Sequence, residues 1–337
     1  MKTKYFVGID ISADFFTVTC FIKKTAEYIF LGDFENSKTG FNKFSDSISK
    51  IDEKKNLFIF CMEATGVYGE NLAHFLYNTG VSVIVENALK VKRAFGISGK
   101  KSDEIDSRKI AEYIYRFQDQ VKPWSPRPEI VEKIKVLLTQ RDLLNKQKIA
   151  YTNSMKAIKR KYLNFPEIIA NYQEMIQGAN KQIKSIDAMI MELIKQSPEH
   201  RQIVSNITSI PGVGNILAFH LFVSSNGFTE NLNYKRIASY LGIVPLIYQS
   251  GKSIRKKSSS SGMGPGEIRK VLYLASMTAM VHNKNMQKYF ARKVAEGKPK
   301  RLVLNNIGNK ILKMIVAIIQ SGHAYSENYK SINPALV

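Results

Sequence analysis

Short apolar runs separated by polar breaks begin the chain and predict β-strands rather than helices. Residues 5–11, 15–23 and 27–34 are rich in aromatic and β-branched side chains and predict three successive strands. Two more strands are predicted at 56–62 and 81–86, in alternation with helices at 39–51, 68–79 and 103–117. This order, β-β-β-α-β-α-β-α, is typical of an α/β layer with a mixed sheet.

The pattern changes after a proline-rich stretch at 121–129, which marks a boundary between regions. Apolar residues then recur at steps of three and four, as in a coiled-coil seam: Ile176, Ala179, Ile183, Ile186, Ile190 and Leu193. A matching stripe lies upstream, so 127–197 is predicted to be a helical hairpin that serves as a spacer or dimerisation arm. We therefore expect an α/β domain at 1–122, this hairpin, and a mainly α-helical domain at 198–325.

The composition is that of a folded chain with a strong basic excess. Hydrophobic residues make up 44% of the 337 residues, and 50 Lys and Arg against 28 Asp and Glu give a formal charge of +22. This charge is spread along the chain and indicates a polyanionic partner, with nucleic acid favoured over an anionic membrane surface. No long apolar run or signal-peptide core is seen, so we expect a cytoplasmic, nucleoid-associated protein with no membrane partner. Cys20 and Cys61 lack zinc or disulfide spacing and are expected to be buried, reduced thiols.

Four acidic residues are placed where an α/β sheet commonly holds a ligand. Asp10 ends the apolar run of the first predicted strand, and Glu63 follows the fourth strand in the same way. Asp103 and Asp106 are three residues apart on the predicted helix 103–117, so they share a face. Each acid alone is more simply explained as a cap or a solvated group, and Asp103 is a good N-cap residue. Together the four are expected to converge at one sheet edge, because ligand sites gather at strand ends.

Four mutually repelling carboxylates require cations, and hard oxygen ligands suit Mg²⁺ or Mn²⁺. Two such ions about 4 Å apart would activate one oxygen and stabilise another in phosphodiester chemistry. The acids therefore predict a divalent-metal site that acts on nucleic acid.

A serine-rich, basic segment at 248–266 lies between two hydrophobic stretches and raises the question of a nucleophile. Ser250 is the candidate, because it stands beside Gly251 directly after an apolar stretch. The residues alone favour an ordinary turn serine, and Tyr248 is a competing nucleophile. No histidine lies nearby, so metal at the acids would have to activate the hydroxyl. The basic side chains expected to hold the phosphates of the scissile strand are Lys252, Arg255, Lys256 and Lys257.

A Gly-Val-Gly turn, Gly212 to Gly214, lies between two predicted apolar helices. Such a turn suits a helix–hairpin–helix element, in which backbone N–H groups hold a nucleic-acid phosphate. An ordinary tight interhelical turn explains the same residues equally well, and both interpretations stay open.

The acids in this order resemble those of the RNase H-like fold in its RuvC-type, four-acid form. The chain also resembles the IS110 family transposases in a series of short motifs and in their order. These motifs are "GIDIS", "EATGVYG", "KSDEIDSRKIA" and the late "SIPGVG", "YLGIVP" and "QSG". The resemblance covers about residues 5–320. Each motif is short, and it is their shared order that makes the match specific.

The resemblance implies a site-specific recombinase with a RuvC-like N-terminal domain and a C-terminal transposase domain. Position by position, the family's acidic tetrad falls on Asp10, Glu63, Asp103 and Asp106, and its nucleophilic serine falls on Ser250. It also implies a structured non-coding RNA, the bridge RNA, that pairs with donor and target DNA. A homo-oligomer, dimer or tetramer, is expected through the helical arm, with a composite site formed in cis or in trans.

Two positions depart from the family pattern, and two other functions stay open. Ser102 replaces the usual threonine before Asp103, and Pro265 replaces the usual asparagine downstream of the serine, which puts the role of that turn in doubt. The alternatives to a recombinase are a metal-dependent nuclease or junction resolvase that uses water, and a non-catalytic nucleic-acid scaffold.

Overall fold

A computed structural model describes residues 3–64, 66–95, 102–229, 233–246, 249–250, 254–255, 259–260 and 264–327, and between 245 and 260 the description is of the backbone. The chain divides into two compact units, Met1–Pro126 and Arg127–Val337. The first boundary falls in the proline-rich stretch, because few contacts cross such a connector. The finer division of the second unit at residue 198 stays a prediction.

The first unit is built on a five-stranded mixed sheet. Its strands are β1 (Tyr5–Ile11), β2 (Phe15–Ile22), β3 (Glu27–Glu35), β4 (Phe58–Glu63) and β5 (Ser82–Glu86). Their order across the sheet is β3-β2-β1-β4-β5. The first three strands pair antiparallel, whereas β4 runs parallel to both β1 and β5. The predicted mixed sheet is therefore confirmed.

The helices of this unit are α1 (Lys38–Ile51), α2 (Glu70–Asn78), α3 (Ala88–Phe95) and α4 (Asp103–Phe117), and a short 3-10 turn spans Lys55–Leu57. Three of the helices agree with the predicted ones to within two residues at each end. Helix α3 was not predicted. Val91 is its fully buried residue, and Ala94 and Phe95 pack against the same core. These residues recur at helical spacing, but over eight residues only, which is shorter than the run that a helical period needs to be recognised.

The strands bury side chains on both faces of the sheet, because successive residues of a strand point to opposite sides. From β1, Val7 and Ile9 enter a core that also holds Phe44 of α1 and Leu72 of α2. Phe6 enters the core on the other face, which is closed by α4. Full burial of one such side chain stabilises the fold by about 1.5–3 kcal/mol. The two cysteines are buried on opposite faces, Cys20 in the first core and Cys61 in the second.

The proline-rich connector is held against the sheet by Trp124. Its backbone N–H donates to the carbonyl oxygen of Val83 at 2.7 Å. Its ring packs edge-on against His74 and Tyr77, with centroid separations of 5.1 and 5.9 Å. The partly buried ring thus packs against the hydrophobic core of the first unit.

The second unit is mainly helical. Its helices are α5 (Glu129–Ile158), α6 (Pro166–Lys195), α7 (Pro198–Thr208), α8 (Asn215–Ser224), α9 (Tyr234–Tyr240), α10 (Gly266–His282), α11 (Lys284–Ala295) and α12 (Lys300–Ser321). Between α9 and α10 the described backbone forms two small antiparallel pairs, β6 (Pro245–Leu246) with β9 (Ser259–Ser260) and β7 (Gln249–Ser250) with β8 (Ile254–Arg255).

Helices α5 and α6 form a long hairpin whose base belongs to the core of the second unit. Ile134 and Leu138 of α5 and Ile190 of α6 are buried in the same cluster as the apolar residues of α7 to α12. Across the two helices, Arg141 Nε donates to Asp187 Oδ1 at 2.6 Å. The hairpin is therefore anchored at its base by the same apolar packing that holds the C-terminal helices together.

Helix α12 passes the length and hydropathy test for a membrane span. Half of its most apolar stretch is buried inside the unit, where Ile307, Ile311 and Ile315 are almost completely shielded. A helix at the centre of a folded core is apolar on most of its faces because it is surrounded by other apolar elements. The apolar character of α12 is explained by this burial.

Candidate carboxylate site and serine segment

Asp10 lies on the face of the sheet that α4 covers. On β1, Gly8 and Asp10 alternate with the buried Val7 and Ile9, so both point away from α1 and α2. Gly8 makes the closest approach to α4: a Cβ placed there would collide with the carbonyl oxygen of Ser107 and the backbone nitrogen of Ala111. Asp10 follows two residues later, half-buried at the end of the strand.

Glu63 ends the neighbouring strand on the same face. In the parallel pairing of β1 with β4, Ile9 is opposite Met62, so Asp10 and Glu63 come next on adjacent strands. Cys61, two residues before Glu63, is buried in the α4 core, which places Glu63 on that face as well. The sheet order therefore brings the two predicted strand-end acids side by side.

The third and fourth acids lie in the first turn of α4. Ser102 caps this helix, since its hydroxyl oxygen accepts a hydrogen bond from the backbone N–H of Ile105 at 3.3 Å. The N-cap role considered for Asp103 is thus wrong, because Ser102 and not Asp103 caps the helix. Asp103 is exposed, and Asp106 is half-buried one turn further along.

The charges of two other acids act on Glu63. The pKa of Glu63 is raised above its ordinary value, first by partial burial and then by the negative charges of Asp10 and Asp106, whereas Lys109 lowers it. Asp10 and Asp106 are therefore near enough to Glu63 for their negative charges to affect it. Asp103 is placed on the same helix turn and is not among the groups that shift this pKa.

Lys109 was not singled out in the sequence, although its position three residues after Asp106 on a helix predicts an ion pair. Its Nζ lies 2.9 Å from Asp106 Oδ1. Within the described residues, no three Asp, Glu, His or Cys side chains are grouped closely enough to ligate a metal. The carboxylate oxygens of the four predicted acids suit Mg²⁺ in charge and in ligand type. In this structure the positive charge beside Asp106 is that of Lys109.

Glu86 is a fifth carboxylate on the same edge that the sequence analysis missed. It ends β5 directly opposite Glu63 in the parallel register. Unlike Glu63 it is fully engaged: it accepts hydrogen bonds from Tyr113 Oη at 3.2 Å and from the backbone N–H of Asn87 at 2.8 Å. Lys90 also lies 3.1 Å from it. These contacts make Glu86 a structural group that anchors α4 to β5.

Replacing Gly8 by alanine is expected to destabilise the first unit. The added methyl group would collide with backbone atoms of α4 rather than with a flexible side chain, and overpacking of this kind typically costs about 1–3 kcal/mol or more. The buried hydrogen bond between the hydroxyls of Thr19 and Ser107, 2.8 Å long, would be strained as α4 moves away.

Urea denaturation followed by circular dichroism measures this change. Gly178→Ala is the matched control, because the Cβ position at Gly178 meets no atom within 4 Å. An unchanged midpoint for Gly8→Ala would contradict the close packing of β1 against α4.

Ser250 lies at the end of β7, where its backbone pairs with that of Ile254 in β8. Arg255 is on the returning strand, opposite Gln249. Lys252, Lys256, Lys257 and Tyr248 are outside the described residues. Pro265 is the residue that directly precedes α10, with an extended backbone, a position where its missing N–H leaves no helical hydrogen bond unmade.

The two glycines of the Gly-Val-Gly turn lie between α7 and α8. Gly212 has a φ of +95°, and a Cβ there would collide with the backbone of Ala279 in α10. The positive φ and the close contact with α10 each require glycine at this position, whether or not a phosphate binds there. Gly214 is the N-cap of α8 and has open space around its Cβ position. A phosphate at this turn stays a prediction.

Two family models match the chain. Residues 7–163 match a model of the DEDD type of IS110 transposase, and residues 204–291 match a model described as transposase of the IS116/IS110/IS902 family. Together they cover the carboxylate edge, the hairpin's first arm and the segment that carries Ser250.

Relatives of known name agree with these matches. The pilin gene-inverting protein of Moraxella bovis is 27% identical over 329 residues, which cover 96% of this chain and 98% of that protein. The pilin gene-inverting protein of Moraxella lacunata matches at the same identity and coverage. The insertion element IS110 uncharacterized 43.6 kDa protein of Streptomyces coelicolor is 23% identical over 158 residues, 47% of this chain and 38% of that protein.

The mixed-sheet unit with carboxylates at its edge and the helical unit that follows it both match models of transposases. The chain belongs to the IS110 family of transposases. Its activity is accordingly that of a transposase or recombinase.

Proposed function

We propose that the chain is a site-specific DNA recombinase that excises and inserts an insertion element through a covalent phosphoserine intermediate. The observation that carries this proposal is that the parallel register of β1 with β4 places Asp10 and Glu63 side by side on the face covered by α4, the helix that carries Asp106. The sheet order β3-β2-β1-β4-β5 supports an RNase H-like, RuvC-type first domain. The acids also occur in the order Asp-Glu-Asp-Asp.

In this proposal Asp10, Glu63, Asp103 and Asp106 hold Mg²⁺ or Mn²⁺. The metal supplies activation of the attacking hydroxyl and stabilisation of the leaving oxygen when bound. The raised pKa of Glu63, caused first by partial burial and then by the charges of Asp10 and Asp106, supports this role, because a bound divalent cation would favour the charged carboxylate. Asp106, which is paired with Lys109, would exchange that partner for the cation.

Ser250 is the proposed nucleophile. Its Oγ attacks a DNA phosphorus, a new P–O bond to serine forms, and the P–O bond to the leaving nucleotide breaks. The serine proton passes to a base, and the leaving oxygen takes up a proton. A second attack by the incoming DNA hydroxyl reverses these changes and frees the serine. Because every broken phosphodiester bond is exchanged for another, the strands are rejoined without an external energy source.

The partners proposed are donor DNA, target DNA and a bridge RNA that selects both. The formal charge of +22 supports binding of two polyanions at once. Arg255 with Lys252, Lys256 and Lys257 would hold the phosphates next to Ser250, and the turn at Gly212 and Gly214 would hold another. A location on the nucleoid in the cytoplasm follows from these partners.

The hairpin is proposed to join subunits. Along α5, Val136 and Leu143 are seven residues apart and expose 64% and 55% of their surface, a heptad spacing suited to a partner helix. A dimer or tetramer joined here would allow the acids of one subunit to act with Ser250 of another. Action in cis or in trans is then an experimental question.

The names of the two Moraxella relatives favour recombination over hydrolysis. A gene-inverting protein must rejoin every strand that it breaks. A water-using nuclease or junction resolvase would leave free ends, and a scaffold would leave the DNA unchanged.

The test is an analysis of products at single-nucleotide resolution. Purified protein, element-end DNA, target DNA and the RNA transcribed from beside the gene are incubated with Mg²⁺. Recombinant junctions without loss of nucleotides are expected, and EDTA should prevent them. Hydrolysed ends would select the nuclease, and unchanged DNA in every condition would overturn catalysis altogether.

A further inference from the structure

A pocket of about 350 Å³ lies between α11 and α12, on the surface of the second unit and outside the segment that carries Ser250. The residues that line it are Asn285, Met286, Lys288, Tyr289, Arg292 and Lys310. Three of these six are cations and none is acidic. A concave surface with this charge is suited to an anion.

Tyr289 organises the cations of this pocket. The Nζ of Lys310 lies 4.6 Å from the centre of its ring, and the guanidinium carbon of Arg292 lies 5.8 Å from the same centre. The negative face of an aromatic ring attracts a cation and offsets part of the repulsion between two of them. The ring thus holds two positive groups, from two helices, at the mouth of one pocket.

A second tyrosine–lysine pair continues this arrangement along α12. Lys313 follows Lys310 by one helical turn, and its Nζ lies 4.9 Å from the ring centre of Tyr234 in α9. The hydroxyl of Tyr234 donates to Asn309 Oδ1 at 3.1 Å, which fixes this ring against α12. Cationic groups from α11 and α12 are therefore held in a short row by two rings.

The row carries more positive charge than its surroundings neutralise. Lys310 is exposed as a residue, yet its ammonium end is partly enclosed, and this enclosure, followed by the charges of Lys313 and Arg292, lowers its pKa. Glu296 lies 2.7 Å from Lys293 and 3.9 Å from Arg292, so it offsets part of the charge at the α11 end of the row. Cations grouped in this way gain from an anionic ligand.

We propose that Arg292, Lys310 and Lys313, held by Tyr289 and Tyr234, form a binding site for the phosphodiester backbone of a nucleic acid. The inference rests on the proposed function only in that the chain handles nucleic acid. It assigns phosphate contacts to the last two helices, beyond the segment around Ser250. Such contacts position the nucleic acid and are read through the salt dependence of binding rather than through sequence preference.

The experiment compares the full-length wild type with Lys310→Gln/Lys313→Gln. Fluorescence anisotropy is measured over a salt series with three labelled probes of about 20 nucleotides: duplex DNA, oligo-dT and oligo-U. Loss of two phosphate contacts should lower the slope of log affinity against log salt by about 1.8 on duplex DNA or about 1.4 on single strands. At low salt the affinity should fall roughly tenfold.

The matched control is Lys300→Gln/Arg301→Gln, which removes two cations from the first turn of the same helix. It should bind within about twofold of wild type, because non-specific loss of charge acts weakly at a distance in salt. An equal loss in both double variants, or an unchanged salt slope in the first, would overturn the site. A loss confined to the DNA probes identifies DNA, and a loss confined to oligo-U identifies RNA, as the ligand.

Variants of Tyr289 provide a second, independent test of the site. Tyr289→Phe keeps the ring and should retain affinity within about twofold, whereas Tyr289→Ala should lose affinity although no charge is removed. Circular dichroism confirms the fold of each variant, and the lysine variants carry the test if Tyr289→Ala does not fold. Wild-type binding by Tyr289→Ala would contradict the role of the ring. The lysine and tyrosine variants are judged by binding alone, whereas the recombinase proposal is judged by its covalent adduct and products, so failure of this site is separable from failure of the recombinase proposal.

Discussion

Replacing Ser250 by alanine is expected to abolish the covalent protein–DNA adduct and to lower recombination by at least about 10³-fold. The expected size follows from enzymes with a covalent serine intermediate, in which loss of the nucleophile alone costs about 10⁶-fold in turnover. Nothing else in the proposed step forms the bond to phosphorus, so no partial adduct should persist. DNA binding should stay close to that of wild type, since one neutral hydroxyl is removed.

The adduct is measured by denaturing gel electrophoresis of protein incubated with radiolabelled element-end DNA and Mg²⁺. Ser253→Ala is the matched control, because it removes a hydroxyl from the same segment three residues later. Tyr248→Phe tests the competing phenol. Both controls should keep the adduct. An adduct that survives Ser250→Ala but not Tyr248→Phe would transfer the role to tyrosine.

The second large effect is expected for Asp10→Asn, and it has opposite signs for activity and for stability. Asparagine keeps the shape of the side chain and removes the charge that a metal requires. We expect recombination to fall by at least about 10²-fold, as for removal of an electrostatic stabiliser in other active sites. Glu104→Gln is the control. Glu104 is an exposed acid in the first turn of α4, beside Asp103, and its replacement should leave activity unchanged.

Stability without metal should change in the other direction. The pKa of Glu63 is raised above its ordinary value of 4.5 by burial and by the charges of Asp10 and Asp106. At pH values between the ordinary and the raised pKa, the folded protein therefore binds more protons than the unfolded chain. The free energy of unfolding consequently falls as the pH rises through the raised pKa. Asp10→Asn removes part of that repulsion, so its metal-free fold should lose less stability than wild type between about pH 4.5 and neutrality.

Thermal melting in EDTA and in Mg²⁺ measures both effects apart from activity. In EDTA at neutral pH the variant should melt higher than wild type. Addition of Mg²⁺ should raise the melting temperature of wild type and raise that of the variant less, because binding to the folded state alone stabilises it. If Mg²⁺ raises both equally, Asp10 is not a ligand. If EDTA leaves wild-type recombination intact, the metal proposal fails.

Much of the first unit was predictable because its strands are short, apolar and separated by polar breaks. The five strands and three of the helices occur where the sequence places them. Helix α3 was missed because its apolar period extends over only eight residues, fewer than a helical pattern needs to be recognised. The serine at position 102 has a cap role that its type predicts, yet Asp103, an equally good cap residue, stands beside it. Only the backbone conformation at the helix start decides between such neighbours.

The hairpin and the later helices show the same division. The three-and-four spacing of Ile183, Ile186 and Ile190 predicts a long helix, and α6 is that helix. The pattern does not say that the base of the hairpin shares a core with α7 to α12, because burial against a distant element looks the same in sequence as burial against a partner chain. The phosphate pocket was equally hidden, since Tyr289 and Lys310 are brought together only by the packing of α11 on α12.

The amino-acid sequence by itself determined that Asp10 and Glu63 end apolar strands, that Asp103 and Asp106 share a helix turn, and that a serine follows an apolar stretch at position 250. Local periodicity and residue type suffice for this, because they act over a few neighbouring residues. The tertiary structure decided that β1 lies between β2 and β4 and that Gly8 lets α4 approach closely enough for Asp10, Glu63 and Asp106 to interact. Strand neighbours and helix approach depend on contacts between residues far apart in the chain, and these are selected by the packing of the whole core rather than by any one segment.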